Sequence, residues 1–297
     1  MTTKRGPGRP PSKPIPPTID MIGLVDSPED DENKMELVFD NPLVFKSLFT
    51  YLKNIKSKEL HLRFTPNDLT IFAYDHTQTS RIVAIIDGTK LNRYYCGESF
   101  WVNLNRENVD KLFASIDKSF YKIELQIKYE DERISVTFTD ADLNKECLYM
   151  VVLANYEPNE YLFEAENIIR ADPNEFPIEF SLSAKQFKKA ITDAANYSTI
   201  LTIKKVENSP LFFTYSSPSQ IEYYETYYND KRICLKSNIG EKQTFQCTIK
   251  LNNIKSFAST MVTDNVKILC HMAVDILFQS TIGNNHALVI HTLTKCE

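Results

Sequence analysis

The strongest constraint on what this chain can fold into is a pattern that occurs twice. In residues 42–55, Phe45, Leu48, Phe49, Leu52 and Ile55 share one stripe of helical spacing, and in 105–118 Val109, Leu112, Phe113 and Ile116 share a second. The first stripe returns 142 positions later in 183–197 as Phe187, Ala190, Ile191, Ala194 and Tyr197. The second returns 145 positions later in 250–261 as Ile254, Phe257, Ala258 and Met261, and the same offset carries Phe100 to Phe245 and "KIEL" at Lys122 to "KILC" at Lys267. Short runs of β type, such as "LHLRF", "TIFAY", "RIVAII" and "KIELQIKY", fill the intervals. Each half therefore reads strand, helix, several strands, helix, several strands. This predicts a β-rich α+β chain of two tandem domains, each with two helices on antiparallel sheets; the alternative is two unrelated β-rich domains with helices matched by chance.

Composition sets the boundaries. Residues 1–34 are Pro-rich and basic, then acidic, with no periodic apolar face, which predicts a disordered tail. Domain 1 is expected over 35–154 and domain 2 over 177–297. Between them 155–176 holds six acids against Arg170, with two prolines, and reads as an acidic linker. No apolar run reaches 18 residues, so no membrane span is expected.

Several chemistries are disfavoured. Of the seven glycines two lie in the opening tag and the other five are isolated from one another, so no phosphate-cradling loop or dinucleotide fingerprint can form. Cys96, Cys147, Cys234, Cys247, Cys270 and Cys296 show no C-x-x-C or Cys/His spacing, which predicts reduced, packed thiols in an intracellular compartment and no zinc site. His61, His76, His271, His286 and His291 are isolated, "TDAD" at 139–142 reads as a hairpin turn, and no G-x-S-x-G occurs. The expectation is no enzyme, no catalytic residue, no metal and no cofactor.

The chain has net charge −5, but its charge is segregated. Lys46 and Lys53 in the first helical segment face no acid there. Lys185, Lys188 and Lys189 in the third oppose only Asp193, and the fourth carries Lys250 and Lys255. In the second, Arg106, Lys111 and Lys118 balance Glu107, Asp110 and Asp117. The helices thus hold +6 and the remainder −11. On the wheel these cations avoid the apolar stripes, which predicts a wall facing phosphates; without interleaved aromatic residues it suits a duplex backbone rather than stacked single-strand bases. A second basic element opens the chain. "KRGPGRPPSK" presents Lys4, Arg5, Gly8, Arg9 and Pro10 in the shape of an AT-hook, a minor-groove tag, with Pro7 where a second arginine is usual. The alternative reading is a flexible basic tail or nuclear-import signal.

The strings "DNPLVFKSLFTYLKNIKSK" (40–58), "LNRENVDKLFASIDKSFYKI" (104–123), "FTDADLNKECLY" (138–149), "IKSFASTMVTDNVKILC" (254–270) and the opening "RGPGRPP" carry a resemblance over nearly the whole chain. It resembles the DNA sliding clamps of the proliferating cell nuclear antigen type, and more closely the clamp-like proteins of large nucleocytoplasmic DNA viruses of the African swine fever virus kind. The resemblance implies the DNA clamp fold and a homotrimeric ring around double-stranded DNA, acting as a processivity factor for a DNA polymerase and a tether for replication and repair proteins. The site of action it implies is the host cytoplasm, at virus factories, or the nucleus. Lys46, Lys53, Arg106, Lys111, Lys118, Lys185, Lys188, Lys189, Lys250 and Lys255 would line the ring interior. The edge near Glu146–Leu153, with Leu148, Met150 and Val152, would pair with the edge near Ile221–Tyr228, with Tyr223, Glu225 and Tyr227, of the next subunit; the run "IEYYETYY" reads by itself equally as a buried strand. Client proteins would dock at Tyr74, Asp75, Gln78, Tyr161, Leu162 and Phe163, although Arg81 and the ending "HTLTKCE" depart from the cellular pattern. The rival reading is an architectural or regulatory DNA-binding protein that binds through the AT-hook-like tail, its β-rich body serving oligomerisation.

Overall fold

The computed structural model describes residues 33–294 apart from 78, 143–144, 156–161, 163–175, 207–208, 217–221, 228–233, 238–243, 261–263, 271–274 and 283–284. In chain order the first half runs β1 (Asn33–Phe39), α1 (Pro42–Leu52), β2 (Glu59–Phe64), β3 (Asp68–Tyr74), β4 (Ser80–Asp87), β5 (Arg93–Cys96), β6 (Phe100–Asn105), α2 (Arg106–Ala114), β7 (Phe120–Lys128), β8 (Arg133–Asp140), β9 (Lys145–Val152) and β10 (Ala154–Asn155). The second runs β11 (Ile178–Ser183), α3 (Ala184–Tyr197), β12 (Ile200–Val206), β13 (Leu211–Ser216), β14 (Glu222–Tyr227), β15 (Cys234–Ser237), β16 (Thr244–Lys250), α4 (Leu251–Thr260), β17 (Asn265–Cys270), β18 (Asp275–Ile282) and β19 (Ala287–Thr294). The helix starts, Pro42 and Ala184, Arg106 and Leu251, keep the offsets of 142 and 145 read from the sequence.

Local chemistry sets the helix limits. Pro42 at the first helical position starts α1, since its missing N–H would be unpaired there anyway. The helix tightens into a 3-10 turn over Lys53–Ile55 and stops at Lys56, whose φ of 56° is left-handed. The Asn105 side chain accepts from the amides of Glu107 and Asn108 to begin α2. This helix ends at Ala114, short of the expected 118, because the Ser115 hydroxyl donates to the Leu112 carbonyl and Asp117 accepts from the Ser119 amide to form a turn. A reciprocal capping box between Ser183 and Gln186 opens α3. The expected tail boundary at residue 34 falls inside β1, where the Lys34 ammonium pairs with Glu98 and stands 4.3 Å from the Phe100 ring centroid.

The strands form three antiparallel sheets, in the orders β5-β1-β7-β8-β9, β10-β6-β2-β3-β4-β19-β18-β17-β11-β15 and β14-β13-β12-β16. The repeat is visible in these orders. The block β5-β1-β7-β8-β9 of the first half recurs as β15-β11-β17-β18-β19 in the second, and β4-β3-β2-β6 recurs as β14-β13-β12-β16. The halves join where β4 pairs with β19, with Ile86 opposite Ala287 and Ile82 opposite His291. The four helices lie side by side in the order α2-α1-α4-α3. Aromatic rings tie the row together: Phe113 of α2 stacks on Phe49 of α1 at 3.9 Å, Tyr51 of α1 meets Phe257 of α4 at 5.3 Å, and Phe257 meets Phe187 of α3 at 6.0 Å. One apolar core between helices and sheets spans both halves, so alternate strand residues such as Leu62, Ile71 and Ala84, or Ile268, Phe278 and Val289, point toward the helices.

At the seam between the halves, buried His291 bridges two hydroxyls, with Ser80 Oγ 2.6 Å from Nε2 and Tyr51 Oη 3.4 Å from Nδ1. Burial drives its pKa from 6.5 down to about 3 and raises that of Tyr51. The folded chain therefore keeps His291 neutral while the unfolded chain takes up a proton below pH 6.5, so stability is full above 6.5 and falls as pH drops toward 3. The expected loss is roughly 1.4 kcal/mol per pH unit in that window. Urea unfolding of wild type and His291→Asn across the acid range checks it: the two profiles converge in acid, whereas parallel profiles would show that His291 takes no part.

Candidate nucleic-acid interface

The expected cations sort into three groups. Lys53, Lys118, Lys185, Lys188, Lys250 and Lys255 are exposed and form no ion pair among the described residues. On α3 the buried positions are Phe187, Ala190, Ile191 and Ala194, so Lys185, Lys188 and Lys189 occupy the face turned from the core. Lys111 and Lys189 are exposed but paired one turn away, Lys111 with Glu107 at 2.7 Å and Lys189 with Asp193 at 3.0 Å. The hydrogen bond from Lys111 holds the Glu107 carboxyl below its usual range.

Arg106 and Lys46 correct the sequence reading. Arg106 is buried at the start of α2, with Nε 2.8 Å from Asp110 Oδ1, so its charge is neutralised inside rather than presented outward. Lys46 is half-buried and donates its ammonium to the Ile116 carbonyl, which ties α1 to the end of α2. Counting charges along the sequence cannot distinguish a lysine that reaches outward from one folded back onto a carbonyl. The exposed cations remaining on α3, at the ends of α1 and α2 and at α4 belong to a single helical row, on the side of the sheets away from β3-β4 residues such as Phe72 and Val83. Such a row offers point charges to a polyanion without a shaped pocket, which suits non-specific phosphate contact.

On the opposite sheet face, Leu162 is 1% exposed and packs on Phe72 and Val83, with Tyr74, Ile85 and Trp101 around it. Phe176 is anchored likewise on Leu277 and Ile290. Of the expected docking residues, half-buried Tyr74 stacks on His61 at 5.3 Å, and Asp75 accepts from the hydroxyls of Thr77 and Thr79 and the amide of Ser80. Gln78, Tyr161 and Phe163 lie outside the described residues, as do Lys4, Arg5, Gly8, Arg9 and Pro10 of the tail.

Both expected interface segments are edge strands. β9 pairs only with β8, and β14 only with β13, among the described residues. The Leu153 amide donates to the Glu132 carbonyl, which places 132 and 153 as a hydrogen-bonded pair and turns the N–H and C=O groups of Leu148, Met150 and Val152 to the open edge. These three side chains are 64%, 45% and 62% exposed, a run of apolar residues on an unpaired edge. The side chains of Tyr223, Glu225 and Tyr227 are outside the description; their backbone places them in β14.

The chain is 39% identical over 294 residues to "Uncharacterized protein E301R" from a Kenyan pig isolate and from a Namibian warthog isolate of African swine fever virus, covering 98% of this chain and 97% of theirs. The chain belongs to the family of this viral protein. Its fold is that of the sliding clamps of the proliferating cell nuclear antigen type. Proliferating cellular nuclear antigen from Entamoeba histolytica superposes with a TM-score of 0.69 at 15% identity over 89% of this chain and 100% of that one. The protein from Thermococcus kodakaraensis gives 0.71 at 12% identity over 88% and 100%. No family model matches the chain. Among the described residues, no helix is long and apolar enough to cross a membrane, and no group of three or more His, Cys, Asp or Glu is placed to hold a metal.

Proposed function

We propose that this protein is a homotrimeric ring that encircles double-stranded DNA and serves as a processivity factor for a DNA polymerase. Two clamp domains, 35–154 and 177–297, joined by a linker over 155–176, supply the repeating units. The observation that carries this reading is the pairing of β4 with β19 inside one chain while their counterparts in the repeat, β14 and β9, are left as open edges. Pairing β9 of one copy with β14 of the next repeats the internal junction, so every junction around the ring has the same form. The backbone groups of Leu148, Met150 and Val152, turned to the open edge of β9, would supply the hydrogen bonds of that junction.

In the closed ring the helical rows turn inward, and Lys53, Lys118, Lys185, Lys188, Lys250 and Lys255 meet phosphates. Function is topological: a closed ring cannot leave DNA sideways, so individual contacts stay weak and permit sliding. The acidic remainder disfavours DNA on the outside. Leu162, seated on β3 and β4, fixes one end of the linker beside the surface where replication proteins would dock. The N-terminal tail acts as an accessory tether that raises the local concentration of DNA.

Deletion of the tail separates this reading from one in which the tail is the DNA-binding site. Asn33 and Lys34 open β1, so a cut after Asp31 keeps the whole strand, whereas a cut after Lys34 shortens it. The shortened protein that begins at Glu32 is expected to retain polymerase stimulation in primer extension on DNA that can be loaded; loss of all stimulation by a folded truncation would defeat the ring.

A further inference from the structure

α2 and α3 close the two ends of the helical row, so each packs on one neighbouring helix, α2 on α1 and α3 on α4. The two exposed cations that are paired one turn away stand on these end helices, Lys111 with Glu107 on α2 and Lys189 with Asp193 on α3. Exposed pairs of this kind add little to the stability of the chain itself.

The seam inside the chain shows how two such helices meet. Where β4 pairs with β19, the end of α1 runs against the start of α4: Tyr51 meets Phe257 at 5.3 Å, and Ile55 shares a cavity wall with Asn252 and Asn253. α3 repeats α1 at an offset of 142 and α2 repeats α4 at 145, so joining β14 of one copy to β9 of the next brings the end of α3 against the start of α2. Residue by residue, Asp193 then stands for Tyr51, Leu112 for Phe257, and Lys111 for its neighbour Ser256. Leu112 is buried in the core of its own chain, whereas Lys111 is exposed and Asp193 only half-buried. The aromatic contact that closes the seam is therefore replaced, at the junction between copies, by an acid and a base.

We propose that charge closes the helical side of the junction between copies: the Asp193 carboxylate of one copy accepts from the Lys111 ammonium of the next. The partner is a second copy of this chain, and the inference rests on the ring reading above. The two intrahelical pairs then join into one row of alternating sign, Lys189–Asp193–Lys111–Glu107, in which Asp193 lies between two cations and Lys111 between two carboxylates. The internal seam, closed by Tyr51 and Phe257, is apolar and insensitive to salt; the junction between copies is screened by it.

Sedimentation equilibrium of the full-length protein at a series of salt concentrations tests this through the concentration of half-assembly. Wild type is expected to assemble less readily as salt rises. Lys111→Glu and Asp193→Lys each set like charges against one another, and each is expected to raise that concentration by more than about fivefold. The double variant restores opposite signs and is expected to recover most of the loss. A role confined to one helix would instead lower the urea midpoint of the dilute chain, and combining the two changes would not repair it. Met150→Pro, which acts at the strand edge, separates the two readings. Assembly that is lost with Met150→Pro but unmoved by either charge reversal, or reversals that the double variant fails to rescue, would overturn the charge row and leave the ring. A wild type that stays monomeric at every concentration would overturn both.

Discussion

Met150→Pro is expected to give a folded chain that stays a monomer by light scattering at concentrations where wild type forms the proposed ring. The reason lies in the direction of its amide. The N–H and C=O groups of Met150 point away from β8, so proline there removes no ladder bond inside the chain, and an edge strand tolerates the ring. Across the proposed junction the same substitution removes one donor and leaves its acceptor buried without a partner, at a cost of roughly 1–3 kcal/mol per interface. That weakens each contact by roughly 5-fold to 150-fold, and it acts at every junction of the ring because all are alike. Tyr149→Pro is the control. Its amide faces β8, so this substitution lowers the chain's own stability instead. Wild-type assembly by Met150→Pro would exclude β9 as the joining edge.

The paired substitution Lys185→Glu with Lys188→Glu weakens duplex binding and flattens its dependence on salt. Both lysines are exposed on the outer face of α3, while the capping box and the buried Phe187, Ala190, Ile191 and Ala194 that hold the helix are untouched. Each lost phosphate contact lowers the slope of log K against log salt by about 0.9, so a fall of about 1–2 is expected, together with an unchanged urea midpoint. Titration of a fluorescent duplex at a series of salt concentrations measures it. An unchanged slope would remove α3 from the DNA path.

Much of this architecture is legible in the sequence because it is local. The stripes led by Phe45, Val109, Phe187 and Ile254 fix the helices, since burial of one face follows the 3.6-residue period. Asn105 and Ser183 mark two of the helix starts by side-chain capping. The duplication follows from matching those stripes, and the open edges at β9 and β14 follow from the resemblance. What local pattern cannot encode is the far side of each contact. The Ser80–His291 bond joins residues 211 positions apart, and nothing in either strand's alternation announces it. Arg106 counts as a free cation on a wheel, yet it folds back on Asp110 and is buried. A cavity beside Lys56 gathers residues from α1, β4, α4 and β19, so it forms only when the halves meet.

Encirclement is the central claim, and primer extension by the cognate polymerase on linear templates with blocked and with open ends tests it most directly. Once loaded, a ring on blocked DNA cannot slide off, so the account predicts stimulation that persists on blocked templates and decays on open ones. Equal stimulation on both, at salt concentrations where wild-type binding is weak, would contradict a topological hold and show that the protein binds DNA by its surface alone.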